Sequence, residues 1–528
     1  MEHKKQPRLP KVWEALIPII FMMVVIIIAT IKWEIEPHIP LVLASVVAAI
    51  VAWRCGYTWE DIAFGMLDSI KRTVEAFLII LCVGMLIGAW VWSGTMPAMV
   101  YYGLDLIAPR VFLVVGCILC GIVGLATGSS WTASGTVGVA LMGIAAGLGI
   151  PAPIAAGMII SGAYMGDKWS PLSDSTNVAA AAAETPLYDH VRAMMTTTLP
   201  SLCIALVIYG VLGFVLIDAN GYDPTQAQEL QAVIAANFNL NPCVLLPILV
   251  ILFGAWKRIP AIPSLLLAAA VGGIFAMIFQ GTTLPEIINA FQYGYTADTG
   301  NALADKLLSR GGEDSMLWTI SLIMFAMCFG GILEKCGYVE VLLGPIVRRV
   351  KSVGGLVTAM IITGIVCDIV LTDQYLAIMV PSRMFQKSFD ERGLSRSFLS
   401  RTSEDAATLW SPMIPWNGCG AYQSATLGVS NWAFAPYAFM NLINPIYAIV
   451  ITYLGIGIKY KEYDNLSGEE LKAAKAKKKA EFQAEINKRT DELRNLQEKK
   501  LEYENSGNES MALRTESEIT KKKDYLTE

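Results

Sequence analysis

Gly166-Asp167-Lys168-Trp169-Ser170-Pro171-Leu172-Ser173-Asp174-Ser175-Thr176-Asn177 gathers two carboxylates, an ammonium group, four hydroxyls and an amide within twelve residues. Oxygen donors of this kind suit a hard cation such as Na+. The flanking segments, Gly143 to Met165 and Met194 to Ile217, carry no charged side chain, so the polar run lies at or within a membrane. A charged residue at mid-helix costs about 2.5 to 3.5 kcal/mol on insertion scales, and its presence there calls for pairing, water or a bound ion. The alternative is a cytoplasmic loop with solvated charges. Pro171 predicts a helix break at Ser170, and a broken helix adds free carbonyls and a dipole end to the available cation ligands. Asp167 and Asp174 are seven apart and would share one face of a continuous helix, but the proline makes that geometry unreliable.

Similar chemistry recurs elsewhere in the chain. Thr127-Gly128-Ser129-Ser130-Trp131-Thr132 offers Ser129 and Thr132, whose other role would be close helix packing by small residues. Asp368 and then Leu371-Thr372-Asp373-Gln374 interrupt a later apolar stretch, where the carboxylates could also cap helices. Further on, Ser403-Glu404-Asp405 precedes Ser411-Pro412-Met413-Ile414-Pro415-Trp416-Asn417, with two prolines again interrupting the segment. Glu334-Lys335 reads as an interfacial ion pair, and Glu184, Asp189 and His190 read as parts of an inner loop.

These candidates fall into an internal repeat. Gly88 and Gly94 recur as Gly331 and Gly337, and Gly121-Ile122-Val123 as Gly364-Ile365-Val366, each 243 residues on. Ser170-Pro171 recurs as Ser411-Pro412, 241 on. Repeat 1 covers about 72–217 and repeat 2 about 315–456. Repeat 1 starts after Lys71 and Arg72. The first helix of repeat 2 (Leu317 to Leu333) instead leads toward Arg348, Arg349 and Lys351, so the positive-inside rule sets the copies in opposite orientations. The expected fold is therefore an all-α polytopic membrane protein of two inverted repeats with broken helices or re-entrant hairpins. Secondary transporters of this architecture place their substrate near the midplane where the repeats meet.

Composition agrees with that class. Of 528 residues 54% are hydrophobic and 16% charged, against about a quarter charged in soluble domains. Lys459 to Glu528 holds 16 basic and 16 acidic residues, which divides the chain into a membrane domain (1–458) and a charged cytoplasmic helical tail (459–528). Phe482, Ile486, Leu493, Leu496 and Tyr503 trace a heptad seam that Arg489 and Lys500 interrupt, which favours a solvated or weakly associating helix over a strong coiled coil. Ten scattered Cys and three His (3, 38 and 190) predict no metal centre or disulfide framework. The net charge of −5 points to no nucleic-acid partner.

The order of spans can also be read. The basic segment Met1 to Lys11 puts the N-terminus in the cytoplasm. Ala15 to Ile31 is a retained span that leads out, and Ile39 to Trp53 returns. Trp59 to Lys71 lies along the inner surface. Ala76 to Trp92, Val111 to Thr127, Thr136 to Leu148, Ile154 to Met165 and Met194 to Ile217 follow, the third and fourth short enough for half-helices. Asp218 to Leu240 is an outer loop, Val244 to Trp256 and Ala261 to Phe279 are spans, and Gly281 to Ser315 is an outer segment. Arg383 to Arg401 falls inside, and Trp432 to Ile456 ends inside.

An exchanger of Na+ for H+ needs a carboxylate that holds either ion, and burial brings an Asp, at about 3.9 in water, toward protonation at cellular pH. Asp174 is the stronger candidate, since the adjacent Lys168 should hold Asp167 as an ion pair. The expected Na+ carboxylates are Asp174, Asp373, Glu404 and Asp405, with Ser170, Ser173, Thr176, Asn177 and Asn417 as neutral ligands and Asp167, Lys168, Ser129, Thr132 and Ser411 completing the site.

The motif at 166–177, His190 and Arg192, Ser-Arg-Thr-x-Glu-Asp-Ala at 400–406, Ser-Pro-Met-Ile-Pro-Trp-Asn at 411–417 and Ser-Ala-Thr-Leu-Gly-Val at 424–429 together resemble NhaC-type sodium/proton antiporters. The resemblance spans roughly 13–458 and leaves out the tail. It implies a cytoplasmic-membrane antiporter, not an enzyme, that expels Na+ in exchange for H+ and needs no cofactor. Some relatives of the type exchange organic anions or amino acids, for example malate against lactate, and Lys168 or Arg401 could receive such an anion. The implied partners are Na+, H+ and the lipid bilayer, and the chain could self-associate as a homo-oligomer. A channel or a non-transporting scaffold is the remaining alternative.

Overall fold

In a computed structural model the chain is described over residues 7–33, 35–220, 224–257, 259–350 and 352–461, and in the tail over 491–492, 494–504, 506, 511, 515–516 and 519. Residues 1–458 form one compact unit and 459–528 another. In the tail 494–504 are helical, and Lys500 pairs with Glu504 at 3.5 Å and Glu516 at 3.0 Å. Phe482, Ile486, Arg489 and Leu493 of the expected seam lie outside the described residues.

The larger unit is all-α among the described residues. It opens with α1 (Val12–Ile27), α2 (His38–Arg54), α3 (Trp59–Trp92) and α4 (Thr95–Leu106). The interrupted region follows with α5 (Phe112–Thr127), α6 (Ser130–Ala133), α7 (Val139–Gly147), α8 (Ala152–Trp169) and α9 (Asp174–Ala182). After it come α10 (Leu187–Asn220), α11 (Pro224–Asn237), α12 (Leu246–Trp256), α13 (Ala261–Gln280), α14 (Leu284–Tyr293) and α15 (Ala302–Leu308). The chain continues through α16 (Asp314–Lys335), α17 (Tyr338–Arg349), α18 (Val353–Leu371), α19 (Gln374–Glu391), α20 (Arg396–Trp410), α21 (Gly418–Leu427), α22 (Asn431–Phe434) and α23 (Phe439–Tyr453). Seven described helices are long and apolar enough to cross a membrane, and up to nine if the bent pairs α11–α12 (100°) and α22–α23 (56°) each count as one span. Exposed Ile20, Met23 and Val24 on α1, Val207 and Val211 on α10, and Ile274 and Ile278 on α13 give these helices outward apolar faces suited to lipid.

Several expectations are corrected. Trp59–Lys71 is not separate from the span that follows: it is the first part of the 34-residue α3. Thr58 and Asp61 start that helix with a reciprocal capping box, and no proline follows to stop it. Asp218 to Leu240 is not simply a loop but holds α11, which packs on α4. The outer segment 281–315 contains α14 and α15, joined by a bridge from Tyr295 to Arg310. Ile154–Met165 is part of a longer helix, the 18-residue α8.

Close approach of backbones sets the interior. A Cβ on Gly65 of α3 would sit 2.6 Å from the Gly331 carbonyl oxygen of α16, so only hydrogen fits there. On α8, Cβ atoms at Gly162 and Gly166 would meet the Cys117 and Gly121 carbonyl oxygens of α5 at 2.1 Å each. Small residues four apart are how helices approach closely within a membrane, and this contact fixes the end of α8 where Asp167 and Lys168 lie.

The same backbone device occurs twice. α5 ends at Gly128 in the left-handed conformation (φ 67°), and Ser129 caps α6 by accepting from the Thr132 amide. α18 ends at Thr372, also left-handed (φ 61°), and Asp373 caps α19 by accepting from the Leu376 amide. α8 stops at Ser170-Pro171 and α20 at Ser411-Pro412, after which Ser173 and Asn417 sit at the N-caps of α9 and α21.

Candidate functional site

Pro171 lacks an amide hydrogen, and α8 ends two residues before it. From this end the side chains of Asp167 and Lys168 take different partners. Asp167, 5% exposed, accepts hydrogen bonds from the Ser130 hydroxyl (2.7 Å) and amide (3.2 Å), and Ser173 donates its hydroxyl to the other carboxylate oxygen. Among the described residues no cationic side chain pairs with Asp167. The expected Lys168–Asp167 pair is therefore not formed. Lys168 instead bonds Asp405 at 2.9 Å, with both side chains fully buried. A lysine must follow its own Cα, and at the end of α8 that Cα faces α20, which sequence adjacency to Asp167 does not reveal.

A cavity of about 380 Å³ opens beside Asp167. Of the expected ligands, Ser129, Asp167, Ser173, Asp174, Asn177, Asp373 and Asn417 line it. Asp174 and Asn177 are exposed, whereas Asp167, Ser173 and Asn417 are buried. Arg72, Glu75, Ser130, Trp131, Gln374 and Cys419 join the lining. Arg72 pairs with Glu334 at 2.6 Å, which replaces the expected Glu334–Lys335 pair. Lys335 instead stands 4.7 Å over the Phe64 ring.

The remaining expected ligands lie elsewhere. Ser170 is fully buried, and its hydroxyl accepts from the Leu172 amide at 3.2 Å. Thr176 donates toward the Asp167 and Lys168 carbonyls at 3.5 and 3.4 Å and so closes the end of α8. The Thr132 carbonyl accepts from the Thr136 hydroxyl, and Ser411 donates to the Thr408 carbonyl and to Gln374.

Glu404 and Asp405 do not reach the cavity either. They belong to a buried ionic cluster in which Asp405 accepts from Lys168 (2.9 Å), Thr197 (2.9 Å) and Asn444 (2.8 Å), with Arg401 Nε at 3.4 Å from its second oxygen. Glu404 accepts from His190 (3.0 Å) and Thr408 (3.1 Å). His190 is not an inner-loop residue. It stands fully buried in the first turn of α10, with its other ring nitrogen 2.7 Å from Ser400. Lys168 and Arg401 match Glu404 and Asp405 in number, and such balance is what a buried charge group requires. Among the described residues no three His, Cys, Asp or Glu side chains converge as a metal group. Asp174, Asp373, Glu404 and Asp405 therefore do not form one cluster.

Asn417, also on the cavity lining, donates to the Asp368 carboxylate (3.3 Å) and carbonyl (3.2 Å). Sequence reasoning passed over Ser130, Gln374 and His190. Ser130 sat inside a run already singled out, Gln374 followed Asp373, and His190 carried no signal beyond its motif.

The model of the Na+/H+ antiporter family matches residues 162–456. Over 441 residues the chain is 37% identical to the Na(+)/H(+) antiporter NhaC of Alkalihalophilus pseudofirmus, covering 83% of this chain and 94% of that protein. It is 33% identical to the malate-2H(+)/Na(+)-lactate antiporter of Bacillus subtilis, covering 88% of this chain and 100% of the relative. To the arginine/ornithine antiporter ArcD of Halobacterium salinarum it is 36% identical, covering 84% of this chain and 92% of the relative. The family match takes in both proline-interrupted motifs, the one that supplies Asp167 and Ser173 to the cavity and the one that supplies Asn417, and with these relatives the chain belongs to the Na+/H+ antiporter family.

Proposed function

We propose that this chain exchanges Na+ for H+ across the cytoplasmic membrane by alternating access, with two inverted repeats moving about the cavity and both termini in the cytoplasm. The observation that carries this reading is Asp167: a buried carboxylate on a cavity, with hydroxyl donors but, among the described residues, no cation paired to it. Such a group takes Na+ when ionised and H+ when not, so the two ions compete for one place. Ser129, Ser130 and Ser173 supply hard oxygen atoms beside it. Asp174, which is exposed, and Asp373 add carboxylates to the lining. Asp174 thus draws ions inward, whereas Asp167 holds them.

The test is Na+-driven proton movement in proteoliposomes, with Na+, K+ and Li+ offered in turn. Asp167→Asn keeps the shape and removes the exchangeable charge, so Na+-dependent proton movement should disappear while expression and monodispersity stay normal. Wild-type exchange in that variant would refute the assignment.

Cavity size favours a second reading, coupled exchange of a small organic anion or amino acid. At about 380 Å³ the space falls within the range of small-molecule sites, and a single water occupies only about 30 Å³. Arg72 on the lining, paired with Glu334, would have to exchange that partner for a substrate carboxylate. Counterflow of labelled malate, lactate, arginine or ornithine separates the two readings.

A further inference from the structure

Two of the hydrogen bonds that Asp167 accepts come from Ser130, the first residue of the four-residue helix α6. An isolated single turn does not support itself, because nucleating it fixes several residues for one hydrogen bond. The anchor of α6 comes from the other sequence repeat. Tyr422 of α21, fully buried, donates its hydroxyl to the Trp131 carbonyl oxygen at 2.8 Å. Its ring stacks on the Trp131 indole, with centroids 4.4 Å apart and planes 8° from parallel. Directly after α6 a single π-helical turn, Ser134–Gly138, brings Gly135 against the same hydroxyl, where a Cβ would lie 2.7 Å from the tyrosine oxygen. Such turns are rare and recur at functional sites. Trp131 is on the cavity lining and Tyr422 is not.

We propose that Tyr422 is a positioning residue for the ion site: it holds α6 so that the Ser130 amide and hydroxyl stay directed at Asp167, although it touches no ion itself. The proposal rests on the exchange reading above. The stacked rings set the plane of the contact, and the hydroxyl sets the height of α6 against α21 by taking one carbonyl. Both Ser130 bonds end on the same Asp167 oxygen, so a small displacement of α6 weakens the two together, as hydrogen bonds fall off steeply with distance and angle. Because the grip reaches from repeat 2 to repeat 1, it lasts only while the repeats keep this arrangement. The donors around Asp167 are therefore complete in this state and depleted when the repeats part, which ties ion affinity to the position of the repeats.

Tyr422→Phe keeps the stack and deletes the hydroxyl bond. Reconstituted as a full chain, it should raise the KM for Na+ by about fivefold, matching the net contribution of one hydrogen bond, with Vmax within about twofold of wild type. Ser130→Ala should raise KM as well, and adding Tyr422→Phe to it should raise KM further by less than about twofold, because the tyrosine acts through Ser130. Asp167→Asn is measured in parallel. Unchanged KM in Tyr422→Phe, a loss confined to Vmax, or effects that multiply in the double variant would each overturn this proposal, and an inactive Asp167→Asn would then leave the exchange reading standing. Wild-type exchange in Asp167→Asn would instead overturn the exchange reading. If Tyr422→Phe fails to fold, Gly135→Ala decides, since its methyl competes with the tyrosine hydroxyl for one place. A raised KM with Vmax retained in that variant supports the proposal, and an unchanged KM overturns it.

Discussion

Replacing Lys168 by methionine removes one charge from a cluster that is balanced only when complete. Asp405 would keep Thr197, Asn444 and the more distant Arg401, but Glu404 and Asp405 together would exceed Arg401 by one buried negative charge. Both partners are fully buried, so solvent screening gives no relief, and breaking such a pair from one side costs about 3 to 5 kcal/mol. Asp405→Asn should cost a similar amount by the opposite imbalance. The double variant Lys168→Met/Asp405→Asn restores neutrality between Arg401 and Glu404 and should lose much less than the sum of the singles, by about 2 kcal/mol or more of coupling. Equilibrium unfolding of the purified protein in mixed micelles, run as a four-corner cycle, measures this directly. Additive losses, or single losses below about 1 kcal/mol, would show that the four charges are not one unit and would refute the reasoning.

Other expectations follow from particular contacts. Gly166→Ala drives a methyl into the Gly121 carbonyl of α5 and should cost about 1 to 3 kcal/mol, read by the same unfolding measurement, with exchange falling as Asp167 is displaced. Thr372→Gly should stabilise by about 1 kcal/mol, since a β-branched residue there holds φ 61°; Gly128→Thr should destabilise by more, because a Cβ at that position would lie 2.7 Å from the Leu172 carbonyl carbon. In the segment 281–315 the Thr299 hydroxyl and amide hold the Asp305 carboxyl below its usual range. A lowered folded-state value adds stability that is present at neutral pH and is lost as the pH falls through that range, so Asp305→Asn should flatten the acid dependence of amide exchange in residues 295–310 below about pH 4.

How much of this was legible depended on whether the cause was local. The break at Ser170 follows from one proline, and the end of α18 from Thr372-Asp373, where a short polar pair stops an apolar helix. Spans with outward apolar faces could be counted because lipid imposes a uniform demand on them. Pairing across the fold could not be read. Lys168 lies beside Asp167 in the chain, yet 237 positions separate it from its partner Asp405, and His190 meets Glu404 only because α10 and α20 pack together. At Trp59–Lys71 apolar and acidic positions at helical spacing suggested a segment of its own, but nothing local ends the helix before Trp92, so it runs unbroken into the next span.

Consecutive residues at one helix end face two different surroundings: Asp167 meets an open cavity, and Lys168 is rooted in a buried knot of charge. A twist of that terminus cannot move one without loading the other. An ion held at the aspartate would act on the same backbone joint that ties α8 to α20.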